Sequence, residues 1–325
     1  MYYTRLGKTG LEVSRLCFGC MSFGTELEER PWILGADEAR PLFRRAWEAG
    51  INFYDTANVY ADGTSEVITG AMLKELGSRE EYVLATKLFF GRNRTAPNGI
   101  GLNRKQIMSE IDGSLQRLGV DYVDLYQIHR HDPFAPAEET MEALHDVVKA
   151  GKARYIGASS MFAWQFLRYQ HAAELNGWTK FVSMQDQVSL TYREEEREML
   201  PLCRAFGVAV IPWSPLGGGR LTRPWGEPTK RNTTDRHNKS MYNNPDVNEH
   251  EVVDAVEALS KARGIPMAQL ALAWVLQKDG ITSPIVGVNK MKHLDDAIAA
   301  LDVKLSPEDI KAMEAPYRAR IVTGF

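Results

Sequence analysis

Asp55, Tyr60, Lys87 and His129 are the residues of this chain whose types and spacing could do chemistry together. A free phenol is a poor acid at neutral pH, and an adjacent ammonium makes it a better one by favouring the phenolate. A lysine withdrawn from water tends to lose its proton, so a carboxylate beside it is needed to keep the charge. Lys87 can supply the ammonium, Asp55 the carboxylate and Tyr60 the phenol. His129 can hydrogen-bond a carbonyl oxygen and hold it against the phenol, which polarises the carbon for attack. The attacking group is missing, because no cysteine or serine nucleophile stands beside a base. Each residue alone has an ordinary reading: a strand-end aspartate caps a turn, a rim lysine is solvated, a lone histidine packs in a core. Their joint arrival on successive strand ends singles them out.

The pattern that delivers them repeats: a short apolar run, a polar break, then an amphipathic stretch of helical period. Candidate strands cover 15–20, 52–56, 82–87, 122–129, 153–159, 181–185, 208–214 and 283–288. Helical patterns fall between them, for example over 37–50, 64–77, 103–119, 137–151 and 194–207, closing on Gly as helices often do. Eight such units argue for an α/β fold of the closed (β/α)8 or TIM barrel type. The glycine fingerprint of an open dinucleotide-binding sheet is absent after the first strand. In a barrel of this kind chemistry sits at the C-terminal strand ends, and inward side chains alternate along each strand. Asp55 ends the second strand, and Lys87 ends the third on the face of Val83 and Ala85. His129 ends the fourth on the face of Val123, Leu125 and Gln127, and Tyr60 follows in the loop after the second. Residues 2–14 read as a β-hairpin turning at Lys8-Thr9-Gly10, a plug for one end. Residues 216–247, after the seventh strand, form a long Gly-, Pro- and Asn-rich loop of a length that is usually functional. The whole chain, 1–325, reads as one domain.

Composition narrows the function classes. The chain is 44% apolar and 25% charged with a formal charge of -3, so it can bury a core and carries no basic field for nucleic acid or an anionic membrane surface. The N-terminus has no apolar signal core, and no run approaches the roughly 18 apolar residues of a membrane span, so a cytoplasmic location is expected. Three cysteines are too few for a disulfide framework. Cys17 and Cys20 make a CxxC without a second pair or a histidine cluster, which favours core packing over zinc or redox work.

Several ordered motifs resemble the aldo-keto reductases, nearest to the bacterial branch described as aryl-alcohol-dehydrogenase-like: FYDTANVY (53–60), EIDGSLQRLGVDYVDLYQIHR (110–130), GKARYIGAS (151–159), PWSPLGGGRLT (212–222) and SPIVGV (283–288). The resemblance implies that the missing nucleophile is hydride from a nicotinamide and that the substrate is a small aldehyde or ketone. By the same likeness Tyr60 is the general acid, Lys87 and Asp55 tune it, and His129 orients the carbonyl. It also implies a cofactor set. Ser159 and Gln185, with Ser160 beside them, match the positions that hold the carboxamide, Trp213 the ring that stacks on the nicotinamide, and Met21 and Asp55 further contacts there. Ser214, Leu216, Gly217, Gly219 and Arg220 match the stretch along the pyrophosphate, and 216–247 becomes a lid-like cofactor and substrate loop. Gly287, Asn289, Lys290, His293 and Asp296 match the segment at the adenosine end. Three positions depart from the family's pattern: His293 stands where Gln or Arg is usual, Ala297 where Asn is common, and Pro224 where many relatives carry a lysine.

NADPH (NADP+ when oxidised) is expected over NADH. Backbone amides after Gly287, the Asn289 amide, the positive end of the following helix, Lys290 and a protonated His293 all favour an anion such as a ribose 2′-phosphate. Trp32, Phe89, Phe90 and Trp225 would line an aromatic mouth. Two other readings stand beside this one. A metal-dependent hydrolase on the same barrel would use His129, His131, Asp132 and Asp55 as ligands, but leaves Lys87 unexplained among them. A non-enzymatic cofactor-binding subunit, like the potassium-channel β subunits, shares the fold, but such relatives tend to lack the histidine that His129 provides.

Overall fold

The computed structural model describes residues 1–25, 30–91, 95–227 and 248–323. The chain opens on the antiparallel hairpin β1 (Tyr3–Arg5) and β2 (Glu12–Ser14), paired Tyr3 to Ser14. Eight parallel strands follow: β3 (Cys17–Gly19), β4 (Phe53–Asp55), β5 (Val83–Leu88), β6 (Val123–Ile128), β7 (Ala153–Ser159), β8 (Phe181–Gln185), β9 (Ala209–Val210) and β10 (Ile285–Gly287). They lie in the order β10-β3-β4-β5-β6-β7-β8-β9. The ring closes through the Thr282 N–H on the Val210 carbonyl (2.8 Å) and the Ile285 N–H on the Pro212 carbonyl (2.8 Å). This is the expected (β/α)8 barrel, with β7 and β8 ending where the apolar pattern ends.

Ten α-helices are described: α1 (Ala36–Glu48), α2 (Thr64–Leu76), α3 (Arg104–Leu118), α4 (Ala137–Lys149), α5 (Ala163–Asn176), α6 (Met199–Phe206), α7 (Glu249–Arg263), α8 (Met267–Gln277), α9 (Met291–Ala299) and α10 (Pro307–Glu314). α1 shows why they pack on the strands: Ala39, Leu42, Phe43 and Ala46 recur at helical spacing and are all buried. Phe43 meets Phe18 of β3 edge-on at 5.0 Å between ring centres. Burying such a ring is worth roughly 1.5–3 kcal/mol. Gly119, Gly177 and Gly207 close α3, α5 and α6 in left-handed geometry at φ 66°, 67° and 68°, as the Gly endings suggest.

Inside the ring, Leu6 and Val13 of the hairpin segment pack with Cys17, Phe53, Val83 and Leu125. The hairpin therefore plugs the N-terminal end. Cys17 lies in this inner layer and Cys20 in the outer one, both as free thiols. Burial raises both, Cys20 to about 12, which leaves them protonated packing groups.

Two elements differ from the sequence expectation. The helix expected over 194–207 splits into a 3-10 turn at Glu194–Glu196 and α6 from Met199. Pro201, which lacks an N–H and crowds the carbonyl four residues back, fits best in a first turn, and it lies in the first turn of α6. The seventh strand is cut to Ala209–Val210, because Pro212 cannot donate to a ladder. Of the 216–247 loop, residues 216–227 are described, with a 3-10 stretch at Gly217–Thr222, and 228–247 lie outside the described residues. Among the described residues no helix is long and apolar enough to cross a membrane.

Candidate active site

The register of the strands brings the inward residues of one layer together. Lys87 of β5 pairs with Gln127 of β6, Gln127 with Gly157 of β7, and Ser159 with Gln185 of β8. Lys87 is fully buried, and its Nζ donates to Asp55 Oδ1 at 2.5 Å, the Thr56 carbonyl at 2.8 Å and the Tyr60 hydroxyl at 3.1 Å. Burial alone would strip the ammonium of its proton. The fields of Asp55 and then Tyr60 more than offset it, so Lys87 lies above its ordinary value and stays charged.

Asp55 is held from its other side as well. Its Oδ2 accepts from Gln127 Nε2 at 2.9 Å and from Gln185 Nε2 at 3.0 Å, and Gln185 Nε2 also reaches Gln127 Oε1 at 3.0 Å. Gln127 is part of the site that sequence reasoning placed on the right face without a role. Gly157 lets it lie there: a methyl on that glycine would come within 2.3 Å of Ser183 Oγ and 3.2 Å of Gln127 Cγ.

Tyr60 is aimed by unusual backbone. It begins a 3-10 turn in which Ala61 and Asp62 both have positive φ, 46° and 52°, before Gly63 at 88°. Non-glycine residues in this region cost roughly 1–2 kcal/mol each, and such strain collects at functional sites. Gly24 makes room for the turn, since a Cβ there would lie 2.3 Å from Ala61 Cβ. His129 follows β6, its N–H on the Leu88 carbonyl at 2.8 Å. Its ring stands edge to face against Tyr60 at 5.9 Å and against Phe90 at 5.5 Å. All four side chains singled out by type and spacing thus meet at one rim. Of the expected aromatic mouth, Phe89 and Phe90 pack together at 4.9 Å beside His129, and Trp32 is buried with Ala61 under the Tyr60 turn. Trp225 is half exposed and packs against His250.

The residues assigned to a cofactor by resemblance continue around the rim. Ser159 Oγ donates to the Gln185 carbonyl at 2.8 Å. Ser160, at φ 45°, accepts from Trp213 Nε1 at 3.1 Å, which fixes the indole across the mouth. Ser214 is also left-handed, at φ 51°, and its carbonyl takes the Gly217 N–H at 3.0 Å. Leu216 then accepts from Gly219, and three glycines run at φ 57°, 62° and 94°, a turn closed to other residues. Met21 packs on the cluster of Trp32, Ile33 and Ala61. Arg220 is ion-paired with Glu249 of α7 at 3.0 Å, a carboxylate that also pairs with Arg320.

At the far end Gly287 is exposed, and a Cβ there would project into open space. Lys290 and Asn289 follow it at the start of α9. His293 lies below its ordinary pKa, through burial first and then Lys290, with Lys292 and Arg223 adding to it. The shift disfavours its charged form, so it adds a second positive charge only when protonated, as the sequence reading requires. Arg223, which motif matching did not assign, is a basic group of the glycine loop near enough to His293 to lower its pKa, and its Nη2 donates to the Gly219 carbonyl at 2.9 Å. Asp296 is engaged with Gln269 at 2.9 Å and Lys292 at 2.8 Å. The glycine turn, the open space at Gly287 and a cluster of basic groups short of carboxylates fit a phosphate-bearing dinucleotide.

The ligands that a hydrolase would need are otherwise engaged. His131 Nδ1 bonds the Tyr169 hydroxyl at 2.9 Å, and Asp132 accepts from the Leu102 N–H at 2.7 Å and the Phe134 N–H at 2.9 Å.

Comparison with known proteins agrees with this geometry. Residues 15–318 match the model of the Aldo/keto reductase family. The chain belongs to that family. It is 44% identical to versiconal hemiacetal acetate reductase of Aspergillus parasiticus, over 98% of this chain and 97% of that protein. It is 42% identical to aldo-keto reductase AFTS1 of Alternaria alternata, over 99% and 93% of the two lengths. A Schizosaccharomyces pombe protein whose name assigns it provisionally to the aryl-alcohol dehydrogenases is 42% identical over 97% and 95%. These relatives are fungal, so they lend no support to the bacterial branch expected from the motifs. As an aldo/keto reductase the chain is an NAD(P)H-dependent oxidoreductase that reduces the carbonyl groups of small molecules.

Proposed function

We propose that this aldo/keto reductase reduces aldehydes or ketones to alcohols with Tyr60 as the proton donor, Lys87 and Asp55 as the pair that poises it, and His129 as the group that orients the carbonyl. The observation that carries the reading is the buried Lys87 ammonium, bonded at once to Asp55 at 2.5 Å and to the Tyr60 hydroxyl at 3.1 Å. A positive charge held that close to a phenol stabilises the phenolate left after proton donation. Asp55 keeps the charge in place, and Gln127 and Gln185 keep Asp55 in place. A nicotinamide cofactor, when bound, supplies the hydride that the protein's own side chains lack.

Residues that would hold such a cofactor are Trp213 and Ser160 at the nicotinamide end, the 217–219 glycine turn along the phosphates, and Arg223, Lys290 and His293 at the adenosine end. We read this end as selective for NADPH over NADH. A ribose 2′-phosphate would answer basic groups that a hydroxyl would not; among the described residues Lys292 pairs with Asp296, and Arg223, Lys290 and His293 form no ion pair.

Tyr60→Phe tests the assignment of the acid. General acid catalysis is commonly worth about a hundredfold to ten-thousandfold, so turnover of a carbonyl substrate is expected to fall by at least about a hundredfold. Cofactor affinity, followed by fluorescence titration, should stay near the wild-type value. A variant that keeps a third of wild-type turnover removes Tyr60 from the role.

A further inference from the structure

Arg130, the residue after His129, is a half-buried cation without a carboxylate. Its Nη1 donates to the carbonyl of its own neighbour His129 at 2.6 Å, and among the described residues it forms no ion pair. Arg15, likewise withdrawn and without an ion pair among the described residues, gives Nη1 and Nη2 to the Ile281 and Leu276 carbonyls, and the remaining strongly withdrawn arginines are built differently again. Arg79, Arg117, Arg193 and Arg220 each carry an acidic partner, Asp124, Glu66, Glu196 and Glu249. A guanidinium has five N–H donors, and leaving it desolvated with one of them used is costly unless something else answers the charge. The bond to the neighbouring carbonyl holds the guanidinium beside His129, whose ring packs on Tyr60 at 5.9 Å; burial lowers the Arg130 pKa and Tyr60 opposes this.

We propose that Arg130 binds the carboxylate of the substrate, so that the enzyme prefers aromatic aldehydes or ketones that carry a carboxylate near the reacting carbonyl. The proposal rests on the carbonyl-reductase reading of the site. Arginine suits it because its planar fork meets a carboxylate with two parallel hydrogen bonds. The aromatic part of the substrate follows from the wall beside it: Phe90 stands edge to face on His129 at 5.5 Å and on Phe89 at 4.9 Å. Phe89 is held at φ 147°, a strained conformation for a side chain of its size, directly after β5. A ring lying on this wall, with its carbonyl at Tyr60 and His129, would present a ring carboxylate to Arg130.

The test measures kcat/KM with NADPH for 2-, 3- and 4-carboxybenzaldehyde and for the methyl ester of each. Hydrogen bonds to a charged group are worth about 1.5–3 kcal/mol, so the wild type is expected to favour at least one acid over its ester by about tenfold or more. Arg130→Met should collapse that acid-to-ester ratio by about the same factor, mainly through KM, and Arg130→Lys should restore part of it. Benzoate should inhibit the wild type competitively against an ester substrate, and benzamide should not, a measurement that needs no variant. Wild type that reduces the esters without favouring any acid, or a ratio unmoved in Arg130→Met, overturns the carboxylate proposal and leaves the reductase reading standing. Failure of wild type to reduce either series would overturn both.

Discussion

The barrel centre and the rim after β10 hold their functional side chains by opposite means. At the centre, Asp55 and Lys87 are buried on neighbouring strands, and each makes three hydrogen bonds to protein groups. At the rim, Gly287 and Lys290 are exposed and His293 is partly so, on the last strand residue and the first turn of a helix. The centre is finished before any ligand arrives, and the rim presents charge that a ligand must complete. The difference matches the two tasks proposed for them. Proton transfer needs fixed distances and low dielectric, whereas holding a phosphate needs donors and charge that water has kept accessible. Damage at the centre should therefore lower both turnover and stability, and damage at the rim should change cofactor preference alone.

The largest effect belongs to Lys87→Met. It removes the ammonium beside Tyr60 and leaves the Asp55 carboxylate buried without its cation. Breaking one side of a buried pair typically costs about 3–5 kcal/mol, so the variant should lose turnover to the same degree as Tyr60→Phe and also melt well below the wild type. A variant that melts with the wild type would show that Gln127 and Gln185 alone satisfy Asp55.

Gly157→Ala probes the packing behind the pair. The added methyl would sit 2.3 Å from Ser183 Oγ and 3.2 Å from Gln127 Cγ, so Gln127 must move from Asp55 or the strands must part. Overpacking of this kind costs about 1–3 kcal/mol. Thermal denaturation should register that loss, with a smaller fall in kcat than in Lys87→Met. Wild-type stability together with wild-type kcat would mean that the Gln127 bond to Asp55 does not matter.

These effects follow from features that the sequence exposes unevenly. Asp55, Lys87 and His129 were legible because strand alternation assigns a face and barrel topology assigns an end. The same alternation put Gln127 on that face but could not show that Gly157 leaves it space. Arg130 sits one residue past His129, where alternation points a side chain outward; its fold back onto the His129 carbonyl depends on the loop after β6, which no periodicity describes. The left-handed Ala61 and Asp62 are invisible for a related reason, since neither type announces positive φ as glycine does. Pro201 and Pro212 were in plain view, and weighing them would have set the start of α6 and the end of β9.

Another buried acid lies behind the Trp213 backbone. Asp186 follows Gln185, its backbone carbonyl takes the Trp213 N–H at 2.8 Å, and among the described residues neither of its carboxyl oxygens has a hydrogen-bond partner. Burial first and then Glu195 raise Asp186 far above its ordinary value, and the Ser160 N–H, committed to the Gln185 carbonyl at 3.2 Å, opposes this only weakly. Glu195 is itself pushed from 4.5 to about 8, by burial and then by Glu194. The folded protein thus keeps a proton that the unfolded chain releases above about pH 4.5. Stability from this linkage is complete below that pH, falls by at most about 1.4 kcal/mol per pH unit on the way to pH 8, and then levels off. Glu195→Gln should flatten the decline, as read from urea midpoints at pH 5, 6.5 and 8. Parallel pH profiles for the two proteins would place the proton elsewhere.

The smallest effect, and the one that most directly tests the open rim, is expected from Lys290→Ala. Lys290 is exposed and brings no packing, so its loss should leave melting temperature and turnover at saturating cofactor unchanged. What should move is the ratio of NADPH to NADH affinity, by about tenfold, the scale of a single charge-assisted contact. His293 adds a sign that distinguishes this reading from a general loss of charge. Partial burial and the nearby Lys290 keep its imidazole below its ordinary pKa in the free protein. A bound 2′-phosphate brings two negative charges beside it and pulls that value upward, so NADPH binding should take up a proton. The NADPH preference should therefore strengthen as pH falls from about 7.5 to 6, while NADH affinity stays flat. In Lys290→Ala the imidazole is relieved of its strongest cationic neighbour, so the same strengthening should begin at a higher pH even as the overall preference shrinks. Calorimetric titration of both cofactors across that range checks each part. An NADPH-to-NADH ratio that ignores pH in the wild type would mean that His293 does not face the phosphate, and one that ignores Lys290→Ala would remove this segment from cofactor choice.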